Sequence, residues 1–349
     1  MADLKGKKDL GAVVNDAIVK DSVVKRGLEF IWVVYRGDIA KLRFSQHGES
    51  SSCPLEQYYH NSSLRLDSHD GVVVTPHPAP LFIVEDTSSK RGHAGFSFGD
   101  ICPGRGAHEV VIPTAEHTPD LSRLAKEHYK AMLRLACRRA MDLKRDKDIE
   151  YLSVFFTPGN TDSIGQHLNL QILGTPYTPD RRIEELRKSR DHYTRRGRCI
   201  YCDDIEGTLS HEPDRVIYKN GNVLCYVPWG SNYPFKVLII PNKENHFAGW
   251  EGLGRVCDSM ADALHYTMDN FIKIFGNVKM MWNLHILLRP ELYIEDRLSP
   301  EEYFHAHIDA RPFTSVGGLE GSDIYVNIPI KKQIAVLKGE VELDSAQPL

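Results

Sequence analysis

The sequence predicts an α+β fold made of two fused, similar halves, each an antiparallel sheet with one long helix. Three observations predict it. The order of short strands, long amphipathic helix, strand, loop and histidine-bearing strand occurs twice along the 349 residues. Each occurrence ends on a related segment, Gly165-Gln166-His167-Leu168-Asn169-Leu170-Gln171 in the first and Tyr303-Phe304-His305-Ala306-His307-Ile308 in the second. The chain is also long enough for one large domain or two fused ones of about 100–200 residues each. The repeat is one of element order, not of residue identity.

In order along the chain, residues 1–50 form a divergent segment with a strand at 30–35, rich in β-branched and aromatic residues. The first half, 51–196, begins with a stretch rich in Ser, Gly, His and Pro that carries short strands at 71–75, 80–84 and 110–113. Pro119-Asp120-Leu121 then opens a helix with Leu121, Leu124, His128, Met132, Leu135 and Ala136 on one stripe, running to about Lys144. Arg138, Arg139, Lys144 and Arg145 at its end complement the helix dipole. A strand at 151–156, a turn at 157–160 and the His167 strand follow, and a charged helix over 180–196 closes the half. The second half, 197–349, repeats the order with strands at 223–227 and 235–240, a helix over 252–275, a strand at 281–288 and the His305 strand.

Composition narrows the function classes. Hydrophobic residues make up 42% and charged residues 26%, as in a globular protein, and the net charge of −4 lacks the basic footprint of a general nucleic-acid binder. No apolar run reaches the roughly 18 residues a membrane span needs. The start, Met1-Ala2-Asp3-Leu4-Lys5-Gly6-Lys7-Lys8, has no apolar stretch after its charges, so the expected location is the cytoplasm. Seven scattered cysteines do not make a disulfide framework, and only Cys199 and Cys202 form a C-x-x-C pair, which in a cytosolic chain reads as metal or redox chemistry.

Four constellations carry chemistry. His305 and His307 alternate on a strand and share a face with Asp309, a row able to hold metal or phosphate. Cys199-Ile200-Tyr201-Cys202 fits a zinc knuckle, two thiolates on a tight turn, with His246, His305 and His285 as candidates to complete it. Cys53-Pro54-Leu55-Glu56 looks like half a knuckle with a carboxylate for the second thiolate, completed by His117 and His167. The run from Gly317 through Gly318, Glu320 and Tyr325 to Asn327 is a glycine-rich loop whose backbone N–H groups can cradle phosphate.

Together these residues resemble the galactose-1-phosphate uridylyltransferase branch of the histidine-triad superfamily, which includes plant-type sugar-nucleotide phosphorylases. The match is best from Cys199 to Gly339 and looser in the first half, through His108-Glu109-Val110-Val111-Ile112, His117, Gly159 and His167 with Gln171. The resemblance implies two histidine-triad-like halves, bound zinc, a nucleotide or sugar-phosphate ligand, and a homodimer in which a neighbouring loop completes each site. It also implies a first-half His-x-His-x-Gln strand whose second histidine attacks the nucleotide α-phosphorus. Here His167 takes the metal-ligand position with His117 as partner, Gln171 takes the phosphate position, and the nucleophile position holds Asn169. The second site is implied as Cys199, Cys202, His246 and His305. An alternative ligand set in the family corresponds to Glu185, His285, His305 and His307. Gly318, Glu320, Tyr325 and Asn327 fall in the sugar-phosphate loop, where Asp323 replaces a glycine.

An amide cannot do imidazole's nucleophilic work, so covalent nucleotidyl transfer through Asn169 is expected to be abolished. The leading expectation is a non-covalent hydrolase, phosphorylase or transferase using Asn169 and Gln171, with His307 as a variant nucleophile. The alternative is a catalytically inactive, zinc-stabilised nucleotide-binding or scaffold protein. Apart from the resemblance, the residues also allow a zinc-stabilised fold with no ligand cleft.

Overall fold

A computed structural model describes residues 23–26, 32–35, 53–84, 92–93, 100–118, 120–157, 167–276, 280–312, 317–318, 324–325 and 328–342. Two short strands, β1 (Val23–Arg26) and β2 (Trp32–Tyr35), precede helix α1 (Pro54–His60) and strands β3 (Asp67–His69), β4 (Val72–Pro76), β5 (Gly92–His93), β6 (Asp100–Pro103) and β7 (Ala107–Ile112). The long helix α2 (Lys126–Leu143), strands β8 (Tyr151–Thr157) and β9 (Asn169–Thr175) and helices α3 (Asp180–Arg196) and α4 (Ile200–His211) follow. The remainder is β10 (Val216–Lys219), β11 (Val223–Tyr226), β12 (Val237–Pro241), α5 (Leu253–Phe275), β13 (Met280–His285), α6 (Pro300–Tyr303), β14 (His307–Pro312), β15 (Gly317–Gly318), β16 (Ile324–Tyr325) and α7 (Ile330–Leu337).

The fold is α+β. Its centre is a 10-stranded sheet in the order β10-β11-β12-β14-β13-β8-β9-β7-β4-β3, antiparallel throughout. Read inward from its two edges, the sheet runs β3-β4-β7-β9-β8 and β10-β11-β12-β14-β13, one pattern used twice. The two sets join where β13 pairs with β8, in the register Trp282↔Phe156, Asn283↔Phe155 and Leu284↔Val154. The Phe156 and Trp282 rings stack there at 5.8 Å, both fully buried. The repeated element order thus appears as one continuous sheet. A separate four-stranded sheet, β2-β1-β6-β5, joins the N-terminal segment to 92–103.

Alternation gives the sheet two unlike faces. Leu168, Leu170 and Ile172 point into the main core, with Leu133, Leu135 and Ala136 of α2 and Met260, Leu264 and Met268 of α5. That core runs through both halves, and α2 packs on α5 with Arg134–Asp258 and Lys126–Asp262 ion pairs at the rim. The other face carries Asn169 and Gln171 on β9 and His307 and Asp309 on β14.

Three expectations change. The helix expected from Pro119 starts at Lys126, because the Asp120 carboxylate accepts from Ser122 N–H and closes Leu121–Arg123 as a single 3₁₀ turn. A second start follows when His128 Nδ1 accepts the Ala125 N–H at 2.9 Å. The strand expected at 80–84 shrinks to one bridge, Ile83 to Arg105, since Pro78 and Pro80 remove the donors a ladder needs. The C-x-x-C lies not on a turn but on the opening of α4, with Cys199 as N-cap. Of the glycine-rich loop, only the two-residue ladder β15–β16 falls in the described residues, so Gly318 and Tyr325 are placed by backbone alone. Glu320 and Asn327 lie outside them.

Candidate functional site

Two equivalent clusters stand at matching places in the two halves. Cys53 is the N-cap of α1 and Glu56 lies three residues on; Cys199 is the N-cap of α4 and Cys202 lies three residues on. Residues at i and i+3 share a helix face, so each pair presents its two donors side by side. The strand-side ligand is also equivalent: His167 and His305 each sit two residues before a strand, β9 and β14.

In the second cluster the Cys202 Sγ lies 3.2 Å from His246 Nδ1 and 3.6 Å from His305 Nδ1, and the four donor atoms of Cys199, Cys202, His246 and His305 fall within 4.8 Å of one another. Backbone bonds bring the segments together. Ala306 N–H donates to Phe247 O at 2.8 Å, and the Glu301 carboxylate accepts from Ala248 and Gly249 N–H at 2.9 and 3.0 Å. Gly252 has no Cβ, which lets the Phe247 ring seat against the start of α5. His246 Nε2–H donates to Phe304 O at 2.9 Å, which leaves Nδ1 as the lone-pair nitrogen facing sulfur. A hydrogen bond between the two free thiols holds Cys199 below its usual range and, with burial, pushes Cys202 up. Burial holds His305 neutral, well below the usual imidazole range.

The first cluster repeats this with different chemistry. Cys53 Sγ lies 3.7 Å from His167 Nδ1, His117 Nδ1 lies 3.0 Å from Glu56, and the four donors again lie within 4.8 Å. His167 Nε2–H donates to Thr114 O at 2.9 Å, the same device that orients His246. Tetrahedral zinc with Zn–S of about 2.3 Å and Zn–N of about 2.0 Å places neighbouring donors roughly 3.5 Å apart. The sulfur–nitrogen separations of 3.2, 3.6 and 3.7 Å fit that spacing.

The alternative set of Glu185, His285, His305 and His307 is not assembled. The Arg182 guanidinium lies among them, bonded through separate nitrogens to Glu185 and to His285 Nδ1, with Nε 3.2 Å from Tyr151 Oη. A fixed cation fills the place where an ion would sit. His305 turns to the cysteines, whereas His307, one strand repeat on, faces His285 with ring centres 4.8 Å apart. Asp309 accepts from His285 Nε2 at 3.2 Å and from Lys236 at 3.3 Å. Burial would raise its pKa, but those two bonds and the Asn283 amide hold it well below the usual carboxylate range.

On β9, Asn169 Nδ2 donates to His167 O at 2.9 Å. On β14 the corresponding bond runs from His307 Nδ1–H to His305 O at 2.8 Å. Asn169 therefore reproduces the backbone bond that orients a histidine at this position. A carbonyl oxygen can only accept, so the amide orientation is forced and Oδ1 faces away from the chain. That oxygen is buried with no partner among the described residues. Next on the face, Gln171 Oε1 lies 3.0 Å from His108 Nε2. His108 Nδ1 accepts the Leu81 N–H at 3.1 Å, so Nε2 carries the proton and the Gln171 amide nitrogen is turned the other way. His77 stacks on His108 at 3.9 Å and is neutral, its pKa lowered to about 4 by burial. Sequence reasoning missed His108 and His77 as supports; a histidine facing Gln171 across β7 and β9 becomes visible only with the strand register.

A cavity of about 890 Å³ opens on the same sheet face, lined by α3, the 228–233 loop and the ends of β13 and β14.

No family model matches the chain. It is 25% identical over 362 residues to the ADP-glucose phosphorylase of Arabidopsis thaliana, covering 97% of each. It is 25% identical over 140 residues to the galactose-1-phosphate uridylyltransferase of Thermotoga maritima, covering 40% of this chain and 43% of that one. A crystal structure of an ADP-glucose phosphorylase from Arabidopsis thaliana with bound ADP-glucose matches with a TM-score of 0.67 and 22% identity, over 89% of this chain and 96% of that chain. The α+β sheet repeats its strand order about a central seam, with a histidine just before each inner strand. In that fold and in its full-length match the chain is similar to the galactose-1-phosphate uridylyltransferase-like branch of the histidine-triad superfamily.

Proposed function

We propose that the chain binds a nucleotide sugar, or a related sugar phosphate, and acts on its α-phosphorus by direct displacement, without a covalent nucleotidyl-histidine. The observation that carries this reading is Asn169, held by its bond to His167 O with a buried Oδ1 that has no partner among the described residues. An amide oxygen is no nucleophile, but it can accept a proton-bearing group and so orient water or hydrogen phosphate for attack. Gln171, turned by His108, offers its amide N–H to the phosphoryl oxygens, where charge develops. The incoming oxygen bonds to phosphorus as the bridging P–O bond breaks, and the proton leaves with the sugar phosphate. The full-length resemblance to an ADP-glucose phosphorylase and the ADP-glucose in the related crystal structure support a nucleotide-sugar ligand.

Both clusters fit zinc, whose preference for thiolate and imidazole suits the four-donor sets. Zinc there would supply structural cross-links, with Cys199, Cys202, His246 and His305 as one site and Cys53, Glu56, His117 and His167 as the other. Within this reading residues 51–196 and 197–349 are the two halves, and 1–50 is a divergent extension. The chain works as a cytoplasmic homodimer, with neither nucleic acid nor membrane as partner. Among the described residues no helix is long and apolar enough to cross a membrane.

The second reading, a non-catalytic nucleotide-binding or scaffold protein, is favoured by the same Asn169. A binding and turnover panel of nucleotide sugars, dinucleoside polyphosphates and sugar phosphates on metal-quantified protein, beside Asn169→His, decides. Wild-type turnover supports direct displacement. Binding without turnover, with activity only in Asn169→His, selects the second reading.

A further inference from the structure

The cavity of about 890 Å³ has a composition that the first-half site does not explain, and neither Asn169 nor Gln171 lines it. Its size falls in the range of small-molecule sites. Its rim holds two guanidiniums with no ion pair among the described residues. Arg311, half-buried on β14, has its guanidinium carbon 3.5 Å from the Tyr233 ring centre, and Arg181 is exposed at the start of α3. Arg311 feels the Asp309 carboxylate only beyond ion-pair distance, so a half-buried cation facing the cleft gains from an anion, and guanidinium pairs with phosphate through two parallel bonds. At the mouth Trp229 is 71% exposed, far more than a large aromatic ring needs to be unless it meets a ligand. Deeper in, the Asp309 and Glu185 carboxylates are acceptors suited to sugar hydroxyls, and each is already neutralised by Lys236 or Arg182.

We propose that this cavity is a second ligand site, specific for a nucleoside phosphate. The base stacks on Trp229, the phosphate pairs with Arg311 and Arg181, and the ribose hydroxyls face the carboxylates below. Arg182 closes the floor, so the site takes an organic anion where a metal could have been held. The cavity, lined by both halves, would thus read a nucleotide independently of chemistry at Asn169, either as a sensor of product or as a store for the acceptor.

The test is calorimetric titration of the full-length protein with ADP, AMP, glucose 1-phosphate and inorganic phosphate. The variants are Arg311→Gln and Trp229→Ala for this cavity, and Gln171→Ala for the first half. The expected result is two classes of ADP site. Arg311→Gln and Trp229→Ala each weaken one class at least about tenfold, the loss of one charged or stacked contact, and Gln171→Ala weakens only the other. Trp229 is exposed, so its variant tests the site without risk to folding. ADP binding indifferent to both cavity variants overturns the proposal. Glucose 1-phosphate binding as tightly as ADP, with Trp229→Ala neutral, overturns the nucleoside assignment.

Discussion

Replacing Arg182 by Met should destabilise the fold in a way that depends on pH. Arg182 is only 8% exposed and joins three groups, Glu185, Tyr151 and His285. Burial alone would raise the Glu185 pKa, but the guanidinium charge, then the two imidazoles and the Tyr201 hydroxyl, bring it down to about 2 from an ordinary 4.5. A carboxylate with a depressed folded pKa stabilises the fold above its unfolded value and loses that contribution as pH falls through about 2. Without Arg182 the sign reverses. Burial then outweighs the Tyr201 bond and the two imidazoles, which burial itself holds toward the neutral form, so the folded pKa rises above the unfolded one and the penalty grows as pH rises. Breaking a buried ion pair by removing one partner costs about 3–5 kcal/mol. Urea unfolding of Arg182→Met should therefore show a loss of about that size at pH 7.5 and a smaller one at pH 5, where Glu185 takes up a proton. Adding Glu185→Gln should recover much of it at pH 7.5. Equal losses at both pH values, or no recovery in the double variant, would refute this account of the cluster.

Other outcomes follow from the same geometry. Cys199→Ser with Cys202→Ser should release about one tightly bound zinc per chain and lower the melting temperature, and unchanged metal content would remove the second-cluster assignment. His108→Phe should free Gln171 to turn, lowering kcat about tenfold for one lost hydrogen bond with KM little changed; an equal rise in KM alone would mean that Gln171 binds rather than activates. Trp282→Ala empties the seam between β8 and β13 under Phe156 and should cost about 3–5 kcal/mol, and a much smaller loss would show the halves to be joined elsewhere. Incubation with radiolabelled ADP-glucose or UDP-glucose should leave no acid-labile phosphoramidate on the wild-type protein, and an adduct mapped to His307 would move the chemistry to the second half.

Much of the site was legible because its residues lie at short, patterned spacings. Cys199 and Cys202, the alternating His305 and His307, and His167 with Gln171 are local signals, and the structure gathers Cys199, Cys202 and His305 with His246, and His167 with His117. Helix α4 was not legible, because a C-x-x-C on a turn and one on a helix opening read alike. The helix carrying Arg182 and Glu185 reads from sequence only as charged; that the pair is buried against β13 and β14 depends on where α3 docks. The roles of Asn169 Oδ1 and His108 depend on strand register and amide orientation, which no single segment encodes. The strands at 80–84 and the helix start at Pro119 failed for local reasons, proline donors missing in one and an Asp120 cap in the other.

The most direct test of the central claim is the stereochemical course at phosphorus, followed with a nucleotide sugar carrying a chiral α-phosphorothioate. Direct displacement at the Asn169 site predicts inversion of configuration in the product. Retention would require two displacements through a covalent intermediate, and would contradict the account.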